Sequence, residues 1–130
     1  MLSYEEYKKL LGTDLTEIDK EIERAPVYFQ DICEKTVELW KDYETLEVQV
    51  KTLEADTWLK FKSAAEKITV DDLKARVSKD ADVYRARDLA IHAEAEYRKW
   101  MGLKESFQAK IEGIQNIVKL INSSYCSYKK

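Results

Sequence analysis

Phe29, Ile32, Thr36, Leu39, Tyr43, Leu46, Val50, Leu53 and Thr57 follow one another at steps of three and four residues in strict alternation. A repeat averaging 3.5 residues, held over several turns, keeps one stripe on one side of an α-helix, which is the pattern of a coiled-coil seam. Val83, Ala86, Ala90, Ala93, Tyr97, Trp100, Lys104, Phe107, Ile111, Ile114, Val118 and Ile121 repeat the same steps, with Lys104 the one charged member. Two stripes of this length commit most of the chain to two long helices. The chain also has only 3 Gly and 1 Pro in 130 residues. That is too few to supply the turn chemistry of a β-rich or α/β fold at each chain reversal. A composition of 45% hydrophobic and 36% charged residues completes the case for an all-α fold built from amphipathic helices.

The residues between the stripes place the remaining elements. Ser3 and Glu6 have capping-box spacing ahead of a short helix over 4–11, which Gly12 closes. Asp14 or Thr16 opens a second short segment carrying Ile18 and Ile22 on one face. Pro26 suits a first helical turn, so short N-terminal helices are expected over 4–25 and the first long helix over 26–67. Thr69 followed by Asp71 and Asp72 reads as an N-cap with acids in the first turn, giving the turn region 68–81 a short helix or a structured loop. Asp80 or Asp82 caps the second long helix, 82–122, which leaves 123–130 as a tail of a single helical domain, 1–130.

A short connection makes the two long helices antiparallel neighbours, each ~60 Å long at ~1.5 Å per residue. The expected architecture is therefore an elongated antiparallel two-helix coiled-coil hairpin. With Pro26 near Asn122, Ala86, Ala90 and Ala93 lie opposite residues 55–62 and make room for Trp58 and Phe61. Val37, Trp40, Ile91, Met101, Leu103, Ile117 and Leu120 fall beside the seams, together with Cys33. An apolar strip of that length marks a partner surface, and a homo-oligomer is the simplest way to bury it.

Reactive chemistry is sparse. The single histidine, His92, stands with Asp88 and Glu96 in a row on one helix face, without the matching ligands a helical metal site needs from other helices. Gly12, Gly102 and Gly113 are isolated and form no phosphate-cradling loop. No Ser or Cys has a base beside it, so no enzyme, metal or cofactor is expected. Cys33 and Cys126 read as free thiols of a reducing cytoplasm. No apolar run approaches ~18 residues, so no membrane span is expected, and the first residues lack the signature of a signal peptide.

The net charge of −3 hides an asymmetry. Residues 1–59 carry 7 Lys+Arg against 15 Asp+Glu, whereas residues 60–87 carry 8 against 5. In the hairpin the excess cations gather at the bend: Lys60, Lys62, Lys67, Lys74, Arg76, Lys79, Arg85 and Arg87. Tyr84 lies off the seam among them and is the candidate for stacking on a base. Cations that track phosphates, interleaved with aromatic rings, are what a single-stranded nucleic acid requires.

The layout resembles the UvsY-type recombination mediator proteins of tailed phages. The stretches that carry the resemblance are TDLTEIDKEIERAPVYF (13–29) leading into the first long helix, WLKF (58–61) at its end, and DADV (80–83) opening the last. It covers about residues 13–122. The resemblance implies a multimeric, mostly helical ring that works in the host cytoplasm. Such a ring binds single-stranded DNA and helps a RecA-like recombinase to replace a single-strand-binding protein on it. The family's DNA-contacting basic residues lie just before the aromatic end of the first long helix. Here that place reads LEADT (53–57), with two acids and no Lys or Arg, so Lys60 and Lys62 stand in by position alone. The rival expectation is a non-enzymatic structural or scaffolding coiled-coil protein, of a virion or a chaperone-like assembly, with no nucleic-acid role.

Overall fold

The computed structural model describes residues 1–64 and 67–128, with side chains to Ser123. The protein is all-α: α1 (Tyr4–Lys9), a 3-10 turn (Leu15–Glu17), α2 (Ile18–Ala64), α3 (Val70–Lys79) and α4 (Ala81–Tyr128), with no strand among the described residues. The chain divides into two compact units. One comprises Met1–Val37 with Arg98–Lys130, the other Glu38–Tyr97.

In the first unit, α1 is set by local chemistry. The Ser3 hydroxyl accepts from Glu6 N–H at 3.2 Å, and the Glu6 carboxylate accepts from Ser3 N–H at 3.3 Å. This is the expected capping box. The helix then presents Tyr7, which is completely buried. Its ring meets Tyr28, Trp100 and Phe107 edge to face, with centroids 5.9–6.2 Å apart. Each such contact adds about 0.5–1.5 kcal/mol beyond the area it buries. The Tyr7 hydroxyl accepts from Leu2 N–H at 3.3 Å and donates to the Asp31 carboxylate at 3.4 Å. Burial in this cluster pushes the Tyr7 phenol above its ordinary pKa of 10.0, and the neighbouring Asp31 charge adds to the shift.

Several boundaries differ from the expected ones. Gly12 does not close α1 through a left-handed conformation, since no glycine has positive φ. The helix ends when Leu10 N–H turns back to the Tyr7 carbonyl at 2.9 Å. Asp14 caps the 3-10 turn by accepting from Thr16 N–H at 3.0 Å, and that turn runs directly into α2. The helix therefore starts at Ile18, and Pro26 lies inside it. Proline has no N–H for the Ile22 carbonyl. Ile22 is 43% exposed and Pro26 is exposed, so water can satisfy that carbonyl. At the other end α4 continues to Tyr128 instead of ending near residue 122. Lys129, Lys130 and the side chain of Cys126 lie outside the described residues.

The anticipated stripes are buried or half-buried along nearly their whole length. No member of the α2 seam from Phe29 to Thr57 is exposed, nor any member of the α4 seam from Val83 to Val118; only Ile121 is. Around the aromatic cluster the deepest face of α4 is Trp100, Leu103, Phe107, Lys110 and Ile114, turned toward the side that α1 and the segment after it cover. This corrects one expectation. Leu103, assigned to a surface between copies, is 3% exposed within its own chain.

Lys110 is the polar member of that face. Its ammonium meets the Glu21 carboxylate at 2.6 Å, the Gly12 carbonyl at 3.1 Å and the Leu10 carbonyl, and its side chain is 4% exposed. Three donors thus meet three acceptors, one of them ionised, which is what a buried ammonium needs. The contact ties the segment after α1 to both α2 and α4.

In the second unit α2 and α4 run past each other in opposite directions. Arg87 Nε meets Glu54 Oε1 at 2.8 Å, and the Tyr43 and Tyr97 rings stack with centroids 6.4 Å apart. The expected register put Arg87 opposite Phe61, one heptad away. Ala93 accordingly shares a depression with Leu39 and Leu46 of α2. Trp58 lines a groove whose other wall is α3. Thr69 caps that helix by accepting from Asp72 N–H at 3.2 Å, and it buries Leu73 and Val77 on one face. Asp80 then caps α4, its carboxylate accepting from Asp82 and Val83 N–H at 3.0 and 3.1 Å.

Candidate nucleic-acid interface

The nine residues singled out for a polyanion all belong to the second unit. Lys60 and Lys62 lie in the last turns of α2, Lys67 between α2 and α3, Lys74, Arg76 and Lys79 on α3, and Tyr84, Arg85 and Arg87 at the start of α4. All are exposed except Arg87, which is half-buried. Tyr84 is 67% exposed while its neighbour Val83 is fully buried, so the ring stands off the packed face.

The local acids are largely committed elsewhere. Asp71 and Asp72 sit in the first turn of α3, where they offset the positive end of the helix dipole. Asp80 is occupied by backbone N–H groups. Asp82 pairs with Arg85 at 3.3 Å, in the open, where such a pair contributes about 0–1 kcal/mol. Arg87 is held by Glu54, the tighter and less exposed of the two pairs. Lys60, Lys62, Lys67, Lys74, Arg76 and Lys79 make no ion pair among the described residues. Residues 60–87 keep an excess of cations, 8 Lys+Arg against 5 Asp+Glu, and among the described residues six of those cations have no side-chain counter-ion in contact.

Beside these cations lies a groove of about 720 Å³ lined by Lys51, Glu54, Ala55, Trp58 and Leu59 of α2, Lys74, Val77 and Ser78 of α3, and Arg87 of α4. Sequence reasoning weighed Trp58 as a core residue and left Lys51, Glu54 and Ser78 aside. A signal was present: 51, 54, 55, 58 and 59 are spaced three, one, three and one, a single face of a helix. What the sequence lacked was the wall that α3 provides.

Of the residues assigned to a surface between copies, Val37 is 52% exposed, Trp40 46%, Ile91 63% and Leu120 69%, whereas Met101 and Ile117 are half-buried and Leu103 is buried. His92 is exposed, its Nδ1 2.7 Å from the Asp88 carbonyl. No cluster of three metal-ligating side chains occurs among the described residues. Among these residues no helix is long and apolar enough to cross a membrane. Comparison of the chain with protein-family models, with curated proteins and with solved structures finds no match.

Proposed function

We propose that the chain is a self-associating single-stranded-DNA-binding protein of the recombination-mediator kind, which assists the loading of a RecA-like recombinase in place of a single-strand-binding protein. The observation that supports this reading is the contrast in partnering at the end of α2, in α3 and at the start of α4. There Asp71, Asp72 and Asp80 serve helix ends and Asp82 and Glu54 are in ion pairs, while six cations have no ion-pair partner among the described residues. Phosphates would supply the missing counter-charge, and the exposed Tyr84 ring would stack on a base. The protomer in this reading is an antiparallel coiled-coil hairpin that joins its copies through the exposed Val37, Trp40, Ile91 and Leu120. Several weak basic surfaces on one assembly would engage one strand together, and avidity would supply the affinity.

The test is fluorescence anisotropy with a labelled oligo(dT) across a salt series. Four phosphate contacts per protomer give a slope of log K against log salt of about −3. Changing Lys60, Lys62, Lys74 and Arg76 together to Gln should flatten the slope and abolish binding at about 150 mM salt, with helicity unchanged. Light scattering with and without the oligonucleotide gives the mass of the assembly. The exposed apolar residues by themselves also favour the second reading, a non-enzymatic structural or scaffolding coiled-coil protein. Self-association without any binding of oligo(dT) at about 50 mM salt selects that reading.

A further inference from the structure

We infer that the groove between α2, α3 and α4 of the second unit is a subsite for one nucleotide of the strand, with Trp58 as the base platform and Glu54 as an internal competitor for the phosphate. This rests on the proposed single-stranded-DNA binding and adds to it a seat that surface charge alone does not define. The groove holds about 720 Å³, within the ~300–1,000 Å³ of small-ligand sites. Its walls combine an indole and the apolar Leu59 and Val77 with three cations, Lys51, Lys74 and Arg87, and one acid, Glu54. A planar apolar surface beside a net positive rim is complementary to a base and its phosphate, and to neither an apolar peptide nor a free cation.

The charges are not equivalent. Arg87 is already engaged by Glu54 at 2.8 Å. Lys51 and Lys74 make no ion pair among the described residues, so they receive the phosphate first. Arg87 joins only when the phosphate displaces the Glu54 carboxylate. Glu54 therefore occupies, in the free protein, the guanidinium that a phosphate oxygen takes in the complex. Ser78, one helical turn from Lys74 on α3, adds a hydroxyl donor at the same wall.

The experiment uses the full chain with oligo(dT) and with an abasic oligonucleotide of the same length. Trp58→Leu keeps an apolar side chain at the wall and should weaken oligo(dT) binding about tenfold, the scale of one base–aromatic stack, without changing the salt slope. On the abasic strand the parent and Trp58→Leu should bind alike. Glu54→Gln removes the competing charge and leaves the packing intact. It should tighten binding to both strands and steepen the salt slope by about 0.7, the value of one added phosphate contact. Equal affinity of the parent, Trp58→Leu and Glu54→Gln for oligo(dT) overturns the subsite while leaving the wider basic surface standing. Weaker binding by Glu54→Gln overturns the competitor role. No binding of oligo(dT) by the parent overturns the wider reading and the subsite with it.

Discussion

Replacing Lys110 by Met tests the least expected feature of the first unit. Met is similar in length and apolar, so the change removes the ammonium and leaves the space filled. Three acceptors lose their donor: the Glu21 carboxylate, the Gly12 carbonyl and the Leu10 carbonyl. Removing one partner of a buried ion pair costs about 3–5 kcal/mol. Here part of that is recovered, because the Glu21 side chain is 21% exposed and can rehydrate, and because Met need not be stripped of the water an ammonium holds. The balance is a loss of about 2–3 kcal/mol, read by urea denaturation followed by far-UV circular dichroism. Glu21→Gln keeps an acceptor but leaves the more deeply buried ammonium without a counter-charge, so it should cost at least as much as Lys110→Met, about 2–4 kcal/mol, with a coupling energy of about 1 kcal/mol or more in the double-mutant cycle. Amide exchange should quicken in α1 and the segment after it before it quickens in α4, since the lysine is what ties that segment down. A Lys110→Met protein within ~0.5 kcal/mol of the parent would falsify the view that the buried ammonium stabilises the unit.

Two further outcomes are expected. Pro26→Ala restores a donor for the Ile22 carbonyl inside α2. Against a helix-interior penalty for proline of ~3 kcal/mol and a gain from stiffening the unfolded chain of ~1 kcal/mol, it should stabilise the protein by about 1–2 kcal/mol, and a lowered melting temperature refutes the account. The Tyr7 phenol, raised by burial above 10.0, favours the folded state while it is neutral in both states. That contribution is complete below the unfolded-state pKa and is lost as pH climbs through the folded-state value. Stability should thus fall from about pH 10 upward, and Tyr7→Phe should flatten that limb in alkaline denaturation. An identical limb in the variant removes Tyr7 as its cause.

Much of the fold is legible because helix period and caps are local properties. The capping box at Ser3, the N-cap at Thr69 and the cap at Asp80 depend on side chains within three residues of the backbone they satisfy, and all three are present. The seam residues other than Ile121 are buried or half-buried because a 3.5-residue repeat keeps their side chains on one side of each helix, where apolar burial is favourable. Pro26 misled because proline's fit to a first turn is a preference, and an earlier cap at Asp14 overrode it. Leu103 misled because nothing local reveals that α1 and the segment after it cover its flank of α4. The cations singled out in the sequence all lie in the second unit, but Lys51 was passed over and their partnering was not legible: Arg87 looks free in the sequence and is held by Glu54, thirty-three positions away.

By itself the amino-acid sequence determined which residues form helices, which stripe of each turns inward and where the positive charge accumulates. It could not determine the register. A heptad pattern is unchanged when one helix slides seven residues along another, so matching Arg87 with Phe61 or with Glu54 buries the same stripes. The register adopted is marked by two contacts between α2 and α4, the ion pair of Arg87 with Glu54 and the stack of Tyr43 on Tyr97. In that register, Trp58 of α2, Lys74 of α3 and Arg87 of α4 line one groove, on which the inferred nucleotide seat depends.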